Sequence, residues 1–341
     1  MRLGLIGAGR WGALQRDAFA QVGTPPARVL VSSGASAARA RDAWQVEAVT
    51  DLEAFLAGGL DAVVIASPNH LHARHAIRAL DAGLHVLLEK PMALTVEDAR
   101  AVRDAAVRTG RVLAVGHEIR TFAWAEEARR RIADGSLGTV RHLDLALWRR
   151  PYRAGAGGWK ADPAKVGSSI LEEPIHYLDL ARWWLGDPEA LQAFATSRAG
   201  REGAWENLDV RLFVGGAQAT VRRSIAAWGH RVDLTIVGDE GAFRAVWAGA
   251  MDADPTPRQE AWLHRGADRD RPAERLELRA PSGHAHDLPR QARAFLDACE
   301  GRGAPVAGAD DGVEAVRLCL DVERSLRAGQ LRVELAADDA T

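Results

Sequence analysis

Short apolar runs alternate with helical patterns along the first third of the chain, and that alternation leaves few folds open. Leu3–Ile6, Val29–Ser33, Asp61–Ala66, Leu84–Leu88 and Val112–Val115 read as strands. Between them Ala13–Val22, Ser36–Trp44, His70–Ala82 and Val96–Thr109 carry apolar residues at helical spacing. Strands apolar on both sides, each followed by a helix, mean a parallel sheet covered on both faces. Later the period changes: Val210–Val214 and Val232–Val237 alternate strictly, and Gly215-Gly216 reads as a hairpin turn.

Inside this frame, Gly7-Ala8-Gly9-Arg10-Trp11-Gly12 stands between the first strand and the first helix. In that context G-x-G-x-x-G becomes informative: Gly7 permits a tight turn, Gly9 lets backbone approach a pyrophosphate, and Gly12 lets helix and strand pack closely. The helix start would hold the anion, with Arg10 and Trp11 beside it. An acidic residue after the second strand would hold the ribose 2′-hydroxyl of NAD, but Ser32-Ser33-Gly34 stands there. With Arg39 and Arg41 nearby the cofactor is NAD or NADP, and the neutral hydroxyls tip the reading toward NADP. The two arginines read equally well as a solvated helix face.

Two further strand ends carry chemistry. Ser67-Pro68-Asn69-His70-Leu71-His72 is a turn that would pass under a nicotinamide ribose. His70, His72 and His75 lack a Cys or acidic partner in register, so no metal is expected. Val86-Leu87-Leu88 ends abruptly in Glu89-Lys90-Pro91, where open α/β sheets bind ligands.

These three segments together resemble the Gfo/Idh/MocA oxidoreductases, named for glucose–fructose oxidoreductase and inositol dehydrogenase, and the resemblance runs along essentially the whole chain to a helix pair over Leu288–Ala328. It implies an α/β fold: an N-terminal Rossmann, doubly wound parallel sheet over 1–118, and a C-terminal α+β domain over 119–341 with a large open, mainly antiparallel sheet that commonly carries a homodimer or homotetramer interface. It implies that Lys90 contacts substrate and that Glu89 orients substrate or cofactor. The proline matching Pro91 is often preceded by a cis bond.

The later segments depart from the family pattern in places. Gly116-His117-Glu118-Ile119-Arg120 puts ionisable groups where an aromatic and an amide are usual, so His117 and Glu118 are candidates for substrate selection or for a salt bridge with Arg120. Arg149-Arg150-Pro151-Tyr152 and Gly155–Gly158 lead to Trp159-Lys160. Trp159 offers an apolar face to a sugar ring, and Lys160 and Arg149 offer charge. In Gly167-Ser168-Ser169-Ile170-Leu171-Glu172-Glu173-Pro174-Ile175-His176 the family's histidine is His176 and its aspartate is replaced by Glu172, with Glu173-Pro174 a further departure. Residues 172 and 176 share a face if one helix includes both.

The expected reaction is hydride transfer between a nicotinamide and a secondary hydroxyl or ketone of a sugar, cyclitol or related polyol. Imidazole titrates at about 6.5 and suits proton transfer near neutrality, whereas lysine at about 10.4 needs burial and a nearby cation. His176 is therefore read as the acid/base oriented by Glu172, with Lys90 polarising the oxygen or joining the relay, and Glu173 as a substrate contact. Alternatives are an NAD-dependent glycoside-cleaving enzyme of the same superfamily and a dinucleotide-binding regulator.

With 341 residues, two domains of about 150 are expected. Lys+Arg 44 against Asp+Glu 46 gives no basic field for nucleic acid or an anionic membrane. Cys299 and Cys319 read as core residues. A first strand beginning at Arg2 leaves no room for a signal peptide, and no apolar run nears about 18 residues, so the chain reads as cytoplasmic.

Overall fold

The computed structural model describes residues 1–151, 159–160, 162–197, 205–227, 229–250, 253–266, 272–329 and 333–335. The chain divides into two compact units, the first formed by Met1–Glu118 with Ala154–Gly167 and Asp287–Arg317, the second by Ile119–Arg153, Ser168–His286 and Leu318–Thr341. No helix among the described residues is long and apolar enough to cross a membrane.

The first unit holds a wholly parallel sheet of β1 (Leu3–Ile6), β2 (Arg28–Leu30), β3 (Glu47–Val49), β4 (Ala62–Ile65), β5 (His85–Leu88) and β6 (Leu113–Val115) in the order β3-β2-β1-β4-β5-β6. The order reverses between β1 and β4, which makes that gap the switch point where doubly wound sheets bind ligands. The helices are α1 (Arg10–Gln21), α2 (Gly34–Trp44), α3 (Leu52–Leu56), α4 (His72–Asp81) and α5 (Val96–Thr109). Every residue of β1 and β4 is buried, as strands covered on both faces require.

Local signals set the helix ends. Thr95 caps α5 by accepting from Asp98 N at 3.1 Å, Glu97 and Asp98 stand in its first turn, and Gly110 ends it at φ +63°. Its buried stripe is Ala99, Val102, Ala105 and Ala106. The late helix Leu288–Cys299 joins the same core, with Phe295 edge-on to Phe19 of α1 at 6.2 Å between ring centres. Full burial of one such aromatic stabilises by about 1.5–3 kcal/mol.

The second unit carries β7 (Val140–Trp148), β8 (Ala190–Thr196), β9 (Asn207–Val214), β10 (Ala217–Ser224), β11 (Arg231–Gly238), β12 (Gly241–Ala248), β13 (Arg258–Arg265), β14 (Glu274–Leu276) and β15 (Val333–Glu334). Their order is β14-β13-β12-β11-β7-β10-β9-β8-β15, and only β7 and β10 run parallel among these pairs. Gly215 and Gly216, at φ +54° and +85°, make the β9–β10 hairpin turn. Burial alternates strictly along β10. Leu145, Val210, Val221 and Leu234 face the core, while the opposite face presents pairs such as Arg222–Asp144 and Arg244 over Trp262. This is the open, mainly antiparallel sheet.

Candidate active site

A single line of register organises the first unit. Leu30, Ile6, Ile65, Leu88 and Val115 are direct neighbours across five strands. The residues just beyond them are therefore delivered to one edge of the sheet: Ser32 and Ser33, Gly7, Ser67, Glu89 and Lys90, then His117 and Glu118.

At the first turn, Gly7 sits at φ +101°, and a Cβ on it would lie 2.5 Å from Ala66 O. A Cβ on Gly12 would lie 1.9 Å from Gly7 O, so α1 approaches the turn backbone to backbone. Gly9 precedes α1 in extended conformation and no side chain caps its N–H groups. Uncapped N–H groups at the start of a twelve-residue helix fit the phosphates of a dinucleotide. Arg10 is exposed and Trp11 half-buried beside them.

After β2, Ser33 is the cap of α2 and accepts from Ser36 N at 3.2 Å. The hydroxyls of Ser33 and Ser36 are 3.0 Å apart, and Arg39 donates to Ser36 Oγ at 2.8 Å. Arg41 turns the other way and donates to Ala48 O at 2.8 Å. Of the two arginines, Arg39 belongs to the exposed hydroxyl cluster. Ser32 is exposed next to it.

The second and third turns are clasped together. His72 is buried, with Nε2 at 2.8 Å from Ser67 O and Nδ1 at 2.7 Å from Pro91 O. Burial lowers its pKa ahead of the two carbonyls, which favour the cation. Asn69, also buried, donates to Val166 O at 3.0 Å and ties Pro163–Val166 to the turn. Of the residues offered to a nicotinamide ribose, His72 and Asn69 are thus bound to backbone oxygens. Pro68 opens the one-turn helix Asn69–Leu71. Ser67 Oγ lies 3.0 Å from His75 Nδ1, and burial holds the His75 pKa down at about 4. The Lys90–Pro91 bond is cis and Lys90 is half-buried.

Glu89 points into the unit. Its Oε1 accepts from Gln15 Nε2 at 2.6 Å, and that amide also reaches Gln291 Oε1 at 3.3 Å. Burial and then the Glu118 charge push its pKa up to about 7, while Trp11, Gln15 and Lys90 pull it down. Sequence reasoning missed both glutamines. The available signal was an amide inside a core stripe: Gly12, Gln15, Ala18 and Phe19 on α1, and Leu288, Gln291, Ala292 and Phe295 on the late helix. Trp159 and Lys160 belong to the first unit, with Lys160 Nζ 5.6 Å from the Trp159 ring centre. Tyr152 and Gly155–Gly158 lie outside the described residues.

In the second unit, Glu172 and His176 do not share one helix. Ser169–Glu172 ends at Glu173, whose φ of −139° is not helical, and Pro174 starts Pro174–Leu185. The spacing of four therefore does not put the two side chains on one face. Glu172, Glu173 and His176 are all buried. Arg149 pairs with Glu173, so charges that the sequence offered separately to a ligand meet each other. Arg120 binds Asp179 through two hydrogen bonds, Nε at 2.8 Å and Nη2 at 2.6 Å, with both side chains buried. Asp179 stands one turn beyond His176, and sequence reasoning did not single it out.

Comparison with known proteins fixes the family. A family model described as an oxidoreductase family with an NAD-binding Rossmann fold matches residues 1–117, and the GFO/IDH/MocA C-terminal domain matches 125–244. The 1,5-anhydro-D-fructose reductase of Ensifer adhaerens is 30% identical over 344 residues, covering 96% of this chain and 97% of that one. The chain belongs to the Gfo/Idh/MocA oxidoreductases. D-glucoside 3-dehydrogenase of Escherichia coli (strain K12) is 33% identical over 154 residues, 43% of this chain and 44% of its own. Among solved structures, the WlbA dehydrogenase of Bordetella pertussis in complex with NADH and UDP-GlcNAcA superposes with a TM-score of 0.80 at 23% identity, covering 99% of both chains. This Gfo/Idh/MocA chain is accordingly an oxidoreductase with a Rossmann unit of NAD-binding type.

Proposed function

We propose that the protein transfers a hydride between NADP or NAD and a secondary hydroxyl or ketone of a sugar, cyclitol or related polyol. The observation that carries the reading is the register line Leu30–Ile6–Ile65–Leu88–Val115, which brings the uncapped start of α1 and the Lys90 turn to one sheet edge. Relatives named for anhydrofructose and a glucoside support the carbohydrate class.

The dinucleotide, when bound, supplies or accepts the hydride; the chain's residues have the remaining tasks. Gly7, Gly9 and Gly12, with Arg10 and Trp11, hold the phosphates. Ser67 and Pro68 border the nicotinamide end, and His72 and Asn69 hold that turn in place. Oxidation of an alcohol also removes a proton from oxygen, so a base must reach the hydroxyl. We assign that proton to His176, with Glu172 as its candidate partner, and polarisation of the oxygen to Lys90. His117, Glu118, Trp159 and Lys160 are candidates for hydroxyl recognition, and the Arg149–Glu173 pair for the wall of the substrate site.

The Ser33–Ser36–Arg39 cluster supports NADP, because a guanidinium among hydroxyls suits a 2′-phosphate. Turnover with NADP should exceed that with NAD at equal concentration, and Arg39→Ala should raise KM for NADP while leaving NAD unchanged. A marked preference for NAD overturns this choice.

The decisive experiment is a screen of NAD(P) reduction against sugars, inositols and sugar acids, repeated with His176→Ala and Lys90→Ala. Near wild-type turnover in the histidine variant removes the division of roles, and the same result in both variants removes the site. Product without net change in cofactor absorbance indicates the glycoside-cleaving chemistry instead. The open sheet of the second unit supports a homodimer or homotetramer, which a monomeric mass in solution contradicts.

A further inference from the structure

Glu89 lies inside the first unit, and the reaction above gives its carboxyl no task. Its Oε2 is buried and makes no hydrogen bond of good geometry, the Trp11 side chain being the further donor that faces the carboxyl. Gly116 leaves room for that oxygen, since a Cβ there would lie 2.7 Å from it. The charged groups that face it are Glu118, from the turn after β6, and Lys90 of its own turn. From α1 it meets Gln15 and Trp11, and the late helix adds Gln291 behind Gln15, so both helices bring neutral groups.

As an anion, Glu89 would be a buried charge with one oxygen lacking a well-formed hydrogen bond and another carboxylate nearby, an arrangement proteins seldom keep. The 2.6 Å contact to the Gln15 amide bears on this directly. It is short for N–H···O, where about 2.9–3.0 Å is usual, and ordinary for O–H···O. The orientation of a side-chain amide follows from its hydrogen bonds, so the three groups can be read in the opposite sense. In that reading Glu89 O–H donates to the Gln15 carbonyl oxygen, which also accepts from Gln291 N–H. The amide pair can thus serve either form of the acid, accepting from the neutral group and donating to the anion.

We propose that Glu89 stands neutral in the resting enzyme, its proton given to Gln15, and is a positioning residue that releases this proton when positive charge gathers at the Lys90 turn. The oxidised dinucleotide carries a pyridinium cation and the reduced one does not. Taking up the oxidised form is then accompanied by loss of one proton from Glu89 to solvent, with no change of oxidation state. This second half rests on the dinucleotide reading above.

Infrared difference spectra of the full chain without cofactor test the resting proton. A carboxylic-acid carbonyl band should titrate away as pH rises through about 7 and be missing in Glu89→Gln. In Gln15→Met, which removes the acceptor, the band should persist at a shifted frequency; this second variant decides the matter should Glu89→Gln not fold. A spectrum with no band that responds to either substitution overturns the proposal.

Affinities for NADP⁺ and NADPH, measured across pH, test the release. Below about 7 the affinity for NADP⁺ relative to that for NADPH should rise about tenfold per pH unit, the 2′-phosphate that both carry cancelling in the ratio. In Glu89→Gln that ratio should be flat. Equal pH dependence in the wild type and the variant overturns the release. Failure of both dinucleotides to bind at any pH overturns the cofactor reading and the release with it, leaving the infrared result to decide the resting proton.

Discussion

Replacing Asp179 with Ala should destabilise the second unit far more than loss of a surface ion pair would. Arg120 and Asp179 have side-chain exposures of 2% and 1%, and the guanidinium engages both carboxylate oxygens. Without Asp179 that cation stays buried, with the Trp183 ring 5.3 Å away. Breaking a buried pair from one side costs about 3–5 kcal/mol, against about 0–1 kcal/mol at the surface. At about 2–4 °C per kcal/mol for a unit of this size, the melting midpoint should fall by about 6–20 °C. The eleven tryptophans, Trp183 among them, report the transition, so a fluorescence melt is the assay. The double variant R120M/D179L, which removes both charges, should recover most of the loss. A midpoint drop under about 2 °C in Asp179→Ala, the scale of a surface pair, would refute the reasoning. On the role proposed for His176, one turn before Asp179, the variant should also lose kcat while keeping its affinity for the dinucleotide.

Three further outcomes follow from the first unit. Gly12→Ala should abolish dinucleotide binding in a fluorescence titration, since its Cβ would fall 1.9 Å from Gly7 O; retained affinity would argue against the backbone-to-backbone approach. His72→Leu should strand the one carbonyl, Ser67 or Pro91, to which the neutral imidazole donates, at about 1–3 kcal/mol, a loss that urea unfolding measures. His75, held at about 4 against an ordinary 6.5, stabilises the fold fully above pH 6.5, because the unfolded chain then gains no extra proton. That contribution is lost as pH falls toward 4, and His75→Gln should flatten stability over this window; an unchanged slope would assign it to other groups.

Most of the Rossmann sheet was legible because long apolar strands and helical stripes are strong, local signals. β3 escaped because Glu47–Val49 is three residues long and only its middle residue is fully buried, so no apolar run marks it. The turns bearing Gly7, Ser67 and Lys90 were legible as turns, but their alignment needed the register of five strands. The Glu172–His176 spacing misled because periodicity assumes an unbroken helix, whereas Pro174 starts a new one. Arg120–Asp179, Gln15–Glu89 and Gln15–Gln291 join residues 59, 74 and 276 apart, distances over which pattern reading carries no information.

The first unit draws a core helix, Leu288–Cys299, from a stretch that follows strands β7 to β14 of the second sheet. A ribosome that has released only the opening 150 residues has therefore made a sheet whose Phe19 side still lacks Phe295 and whose Gln15 still lacks its second amide partner. The nucleotide half must wait until the strands of the second sheet up to β14 have been made, and chaperone dependence should track the length of that wait. Cutting the gene after the sixth strand, the obvious way to make a minimal dinucleotide module, would yield an insoluble fragment unless the distant helix were spliced back on.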